Sequence, residues 1–136
     1  MAPASRPHVL VVDDDPSIHE ALAAALGHLY VVHAAATGDE ACAILGSQPI
    51  AAIILDAILR DEHGLDLVER FRALAPLPIL LLTGHSSEDL AIRALRAKVD
   101  DYLKKPPALT ELYAALARLV PRTGGGQGIE VLIDKN

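Results

Sequence analysis

Apolar and polar positions come in blocks along this chain, and the period changes from one block to the next. HVLVV (residues 8–12) is a short, mostly apolar run and reads as a buried strand. Ile18, Ala21, Leu22, Ala25, Leu26 and Leu29 then recur at helical spacing. YVVHAA (30–35) predicts a second strand. Thr37 and Glu40 have the spacing of a capping box, ahead of a helix with Ala41, Ile44 and Leu45 on one face. IAAIIL (50–55) predicts a third strand. Beyond a polar loop, Leu67, Val68, Phe71, Leu74 and Ala75 mark a third helix that Pro76 stops. PILLL (78–82) reads as a fourth strand, and Ser86 is the expected cap of a fourth helix turning Leu90, Ala94 and Leu95 inward. DYL (101–103) is a short fifth strand. Leu109, Leu112, Leu116 and Leu119 line a fifth helix ended by Pro121.

Five strands alternating with five helices, the strands apolar nearly throughout, predict a parallel sheet covered on both faces: a doubly wound α/β domain. It is expected over residues 8–120, after a short extension (1–7). TGGGQG (123–128) reads as a flexible linker opening a tail (121–136) whose IEVLIDKN has strand-like alternation. Aromatics are only 3% of residues and Trp is absent, so the core must be built from aliphatic side chains. The formal charge of −6 disfavours non-specific binding to nucleic acid or anionic lipid. No apolar run is long enough for a bilayer, and MAPASRP lacks the apolar stretch of a signal peptide. A cytoplasmic protein without direct nucleic-acid or membrane contacts is the expectation. Cys42 is the single cysteine, which excludes an internal disulfide.

In an open parallel sheet, ligands bind beyond the carboxyl ends of the strands. After strand 1 stand Asp13, Asp14 and Asp15; after strand 3, Asp56; after strand 4, Thr83; just after strand 5, Lys105. Asp15 before Pro16 reads as a helix cap followed by its first-turn proline. Asp13, Asp14 and Asp56 instead form a set of hard oxygen ligands, suited to Mg²⁺ rather than zinc. Asp56 can act as a nucleophile toward phosphorus. The Lys105 ammonium and the Thr83 hydroxyl could then meet the phosphoryl oxygens. The competing structural readings are a solvated acidic loop, a surface lysine and a strand-end threonine bonded to its own backbone.

VLVVDDDP (9–16), ILDAILRDEHGLDL (54–67), ILLLTGH (79–85) and DDYLKKP (100–106) resemble, in order and spacing, the receiver domain of bacterial two-component response regulators. The resemblance covers about residues 8–120. It implies a flavodoxin-like sheet of order 2-1-3-4-5 and a phosphorylation-activated switch rather than an enzyme in the ordinary sense. It also implies Mg²⁺ held by Asp13, Asp14, Asp56 and the Ile58 carbonyl, with Asp56 as phosphoacceptor. Thr83, Gly84 and Lys105 would contact the phosphoryl group, and Pro106 would follow Lys105 through a bond that is often cis. Tyr102 would be the switch aromatic, moving inward with Thr83; its bland reading is a half-buried strand tyrosine. A sensor histidine kinase or histidine phosphotransfer protein would be the donor. The face of helix 4, strand 5 and helix 5 would change, and could support a homodimer. Arg93 and Arg96, one turn apart on that face, are read first as solvated.

Departures from the family pattern are Arg60 in place of a proline, implying a looser loop after Asp56, and Lys98 in place of a glycine. Pro107 replaces a phenylalanine, and His85 and Ile58 occupy positions that tune phosphoryl lifetime. Asp13-x-Asp15 also resembles the opening of haloacid-dehalogenase-type phosphatases, with Asp13 as nucleophile, although Pro16 and Ser17 fit that motif poorly. A third reading is an inactive receiver used as an interaction module.

Overall fold

The computed structural model describes residues 6–84 and 87–120. The sequence calls on Ser86, His85, the tail beyond residue 120 and most of the N-terminal extension lie outside them. The strands are β1 (His8–Val12), β2 (Val31–Ala35), β3 (Ile50–Leu55), β4 (Ile79–Thr83) and β5 (Asp101–Lys104), all parallel in the order β2-β1-β3-β4-β5. Between and after them run α1 (Pro16–Leu26), α2 (Gly38–Ser47), α3 (Val68–Leu74), α4 (Glu88–Arg96) and α5 (Leu109–Leu119). A 3-10 turn, Gly64–Leu67, leads into α3.

Alternate strand residues face opposite sides of a sheet, and each side here has its own core. Val9, Val11, Ile54, Leu80 and Leu82 pack with Leu22 and Leu26 of α1 and Leu112 and Leu116 of α5. Leu10, Val12, Ile53, Leu55 and Leu81 pack on the other side with Ala41, Phe71, Leu90 and Ala94 of α2, α3 and α4. Because β1, β3 and β4 are sealed on both faces, their sequences show no polar alternation.

Capping follows the expected chemistry with two adjustments. Asp15 caps α1 by accepting from the Ser17 N–H, with Pro16 in the first turn. Thr37 caps α2 by accepting from the Glu40 N–H, but Glu40 reaches back to the Ala36 N–H rather than that of Thr37. The cap of α4 is Ser87, which accepts from the Leu90 N–H at 3.1 Å, so the expected cap moves one residue along. Several apolar residues expected inside are exposed: Ala21, Leu29, Leu74, Leu95 and Leu109. Leu74 closes α3 and Leu109 opens α5, each at a helix end, while Leu29 lies in the turn beyond α1. On α4 the inward line is Leu90–Ala94, one turn apart; Leu95 is a further 100° round the helix, on the solvent side. Tyr30 lies outside β2 but is buried.

Lys98, which stands where a glycine was expected, has φ of 60°. The left-handed region costs a side-chain-bearing residue about 1–2 kcal/mol, part of which glycine gives back through the entropy of its unfolded chain. Lys98→Gly is therefore expected to stabilise the domain by about 0.5 kcal/mol, read as a higher urea midpoint at unchanged slope.

At the amino end of the sheet, the Nδ1 of His8 and the Nε2 of His33 lie 2.9 Å apart, with the rings 19° from parallel. One nitrogen must carry the proton and the other must be bare, so the bond cannot survive with both rings cationic. Burial, and then the neighbouring His8, hold the His33 ring below its ordinary value. A lowered folded value means that the unfolded chain binds more protons just below the ordinary histidine range. The stability is complete above that range and is lost as pH falls through it. Urea midpoints are expected to fall from about pH 7 to about pH 5, and His33→Gln should remove that part of the slope.

Candidate functional site

The backbone ladders run one residue past the strands, and that extension aims the acids. Asp13 N–H donates to Ala35 O at 3.0 Å, Asp56 N–H to Val12 O at 2.9 Å, and Lys105 N–H to Thr83 O at 3.0 Å. Val12 pairs in register with Leu55, so Asp13 and Asp56 emerge side by side at the carboxyl edge. Asp13 is 2% exposed and Asp56 5%; Asp14 is half-buried. One oxygen from each of the three lies within 4.8 Å of the others.

The Lys105 ammonium donates to Asp13 Oδ2 at 2.5 Å and to Asp56 Oδ2 at 3.2 Å. Burial is the largest single influence on this lysine and pushes it down, yet the bonds and charges of Asp13 and Asp56 together outweigh burial and raise it. Lys105 is therefore a lasting cation. Asp13 Oδ1 accepts from the Asp15 N–H at 2.9 Å, and Asp56 Oδ1 accepts from the Ile58 N–H at 3.3 Å. Three carboxylates against one ammonium leave a net charge of two negatives in a largely buried setting, which a divalent cation would balance. The donors are all hard oxygens, a set that fits Mg²⁺.

Thr83 is fully buried at the end of β4, and a Cβ added at Gly84 would meet the Cβ of Lys105 at 3.9 Å. The Lys105–Pro106 bond is cis, in line with the expectation. Asp15 stands apart from the cluster: the Ser17 hydroxyl and then the Ser17 N–H bond its carboxylate and hold it below its ordinary value. Tyr102 packs its ring against the core on the α2–α3–α4 side, and its hydroxyl is buried without a hydrogen-bond partner among the described residues. Arg93 is already paired within the chain, to Asp66 at 3.1 Å, rather than simply solvated.

Sequence reasoning missed three residues around these acids. His19 Nε2 lies 2.5 Å from the Asp13 carbonyl oxygen, which can only accept, so this nitrogen carries the proton. Gly64 donates its N–H to Ala57 O at 2.7 Å, and a Cβ there would lie 2.0 Å from the Asp56 carbonyl oxygen. Glu62 Oε2 accepts from the Gly38 N–H at 2.8 Å. A lone glycine in an otherwise polar loop was the only trace of this close approach in the sequence.

Known proteins resemble this chain in sequence and in fold. The family described as response regulator receiver domain matches residues 9–117. A transcriptional regulatory protein, PmrA, of Pectobacterium parmentieri is 38% identical over 128 residues, covering 93% of this chain and 58% of its own. The chain thus spans little more than half the length of the curated relatives it matches. A CheY-like receiver domain protein of Methanospirillum hungatei JF-1 superposes with a TM-score of 0.78 at 28% identity, over 84% of this chain and 93% of that one. A response regulator of Burkholderia pseudomallei, solved with a phosphorylated aspartic acid, calcium ion and citrate, gives a TM-score of 0.76 at 32% identity. It covers 93% of this chain, and 74% of that chain is matched.

Proposed function

Because this chain belongs to the response regulator receiver domain family of two-component signalling, we propose that Asp56 accepts a phosphoryl group from the phosphohistidine of a sensor kinase or phosphotransfer protein. The observation that carries the reading is the Lys105 ammonium shared between buried Asp13 and Asp56, with Asp14 within reach. Asp13, Asp14, Asp56 and the Ile58 carbonyl would hold Mg²⁺. When bound, the ion supplies positive charge to the phosphoryl oxygens.

An Asp56 carboxylate oxygen forms the new bond to phosphorus as the bond to the donor's imidazole nitrogen breaks. The donor ring leaves with that electron pair and needs no proton from this chain when its other nitrogen is already protonated. Asp56 is held ready by its backbone bond to β1 and by the Ile58 N–H. Lys105 exchanges its bond to Asp56 for one to a phosphoryl oxygen while keeping Asp13, and the Thr83 hydroxyl and the Gly84 N–H donate to other phosphoryl oxygens. The readout we assign is Thr83 to Tyr102 to the face of α4, β5 and α5, where Ile92 and Leu95 stand exposed. A homodimer through that face is part of the proposal and would meet Arg93 already engaged by Asp66. Nothing favours the phosphatase reading, since Asp15, the second acid of that motif, is occupied in capping α1. Among the described residues no helix is long and apolar enough to cross a membrane.

The test is phosphoryl uptake from acetyl phosphate, followed by intact-protein mass. One phosphoryl group per chain is expected with Mg²⁺, and a rate lower by about 100-fold or more with a chelator. Equal uptake in both would sink the cation's assigned part.

A further inference from the structure

The loop after Asp56 was expected to be loose, because Arg60 stands where a proline would stiffen it. The structure holds it by other means. Leu59 N–H donates to Glu62 O at 3.0 Å, Ile58 and His63 form an antiparallel bridge, and Gly64 N–H returns to Ala57 O at 2.7 Å. The loop is thus a small closed hairpin with Ile58 on its outgoing arm. Leu59, buried in the core, and Ile58, packed against it, anchor the hairpin through apolar contacts, and a polar tie to the rest of the domain comes from the side chain of Glu62. Its Oε2 accepts from the Gly38 N–H, at the first residue of α2.

That end of α2 carries unsatisfied N–H groups and a positive partial charge, so a carboxylate there makes a charge-assisted bond. The other caps are already committed, Thr37 to the Glu40 N–H and Glu40 to the Ala36 N–H. The approach is close because position 38 has no side chain. A Cβ on Gly38 would lie 3.1 Å from Glu62 Oε1 and 2.6 Å from Leu67 Cδ2. Hairpin and helix end together wall a cleft of about 180 Å³ that also includes Asp14, Thr37 and Arg60. One wall of this cleft is therefore an acid of the cation site, and another is the clamp.

We propose that Glu62 is a positioning residue for the cation site: its bond to Gly38 fixes the hairpin that presents the Ile58 carbonyl beside Asp13, Asp14 and Asp56. The proposal rests on the reading that these groups hold Mg²⁺. Glu62 takes over, through a contact distant in sequence, the stiffening that a proline at position 60 would provide locally.

The test is Mg²⁺ titration by calorimetry on the full chain, for wild type, Glu62→Ala and Glu62→Gln, with the Gly38 amide followed by NMR hydrogen exchange and stability by urea unfolding. Glu62→Ala is expected to weaken Mg²⁺ binding roughly ten-fold and to speed exchange at Gly38. Glu62→Gln should recover most of the affinity, because its amide oxygen still accepts from Gly38. Equal weakening in both variants would mean that only the negative charge matters, and would overturn the proposal. So would a loss of stability in Glu62→Ala with Mg²⁺ affinity unchanged. If wild type itself binds no Mg²⁺, the underlying reading fails and the proposal with it, a result told apart by appearing without any substitution.

Discussion

Asp56→Asn is expected to leave no detectable phosphoryl adduct after incubation with acetyl phosphate and Mg²⁺, a loss on the order of 1000-fold or more in rate. The amide has nearly the shape of the carboxylate and keeps an oxygen that can accept from the Ile58 N–H. It lacks the negative charge that makes the carboxylate oxygen a nucleophile, and a neutral amide oxygen attacks phosphorus far more weakly. The fold should tolerate the change, because Lys105 retains its shorter bond to Asp13 and the backbone bond from Asp56 to Val12 does not involve the side chain. Stability is expected within about 1 kcal/mol of wild type. A thermal melt followed by circular dichroism supplies that control beside the intact mass.

Gly64→Ala is expected to damage both stability and chemistry. A Cβ at this position would lie 2.0 Å from the Asp56 carbonyl oxygen, 3.0 Å from its carbonyl carbon and 3.2 Å from Ala57 Cα. All three are main-chain atoms, so no flexible side chain can swing aside and the backbone carrying Asp56 must move. Overpacking of this kind costs about 3 kcal/mol or more. A shift of about 1 Å at a reacting group costs about 100-fold in rate. The two readouts separate the variants: Asp56→Asn loses uptake at nearly full stability, whereas Gly64→Ala loses both. Urea unfolding with mass-detected uptake checks them together. A Gly64→Ala protein with wild-type stability would show that the loop has slack the present packing denies.

The architecture was legible because each core strand is an unbroken apolar run and each loop after it carries its chemistry within a residue or two. Val12-Asp13 and Leu55-Asp56 are adjacent in sequence, so placing the strands also placed the acids. Legibility declined where a contact joins distant residues or where an element ends. Leu95 follows Ala94 and has the same hydropathy as an inward residue, yet only its angle around α4 decides its exposure. Ser86 and Ser87 are equivalent as letters, and the N–H of Leu90 chooses the second. The Glu62–Gly38 bond links a loop to the first residue of α2, 24 residues away, and neither residue alone signals the other. Arg60 suggested a loose loop because the pattern showed the missing proline but not the carboxylate that replaces its effect. Asp66 claims Arg93 across a similar separation.

Identifying the residue that receives the phosphoryl group tests the central claim most directly. Wild-type protein would be labelled with acetyl phosphate and Mg²⁺, reduced with borohydride to convert the acyl phosphate, digested and mapped by mass spectrometry. The account predicts a single modified residue, Asp56, in the peptide that follows IIL. Modification at Asp13, or no modified aspartate in protein that binds Mg²⁺ normally, would contradict it.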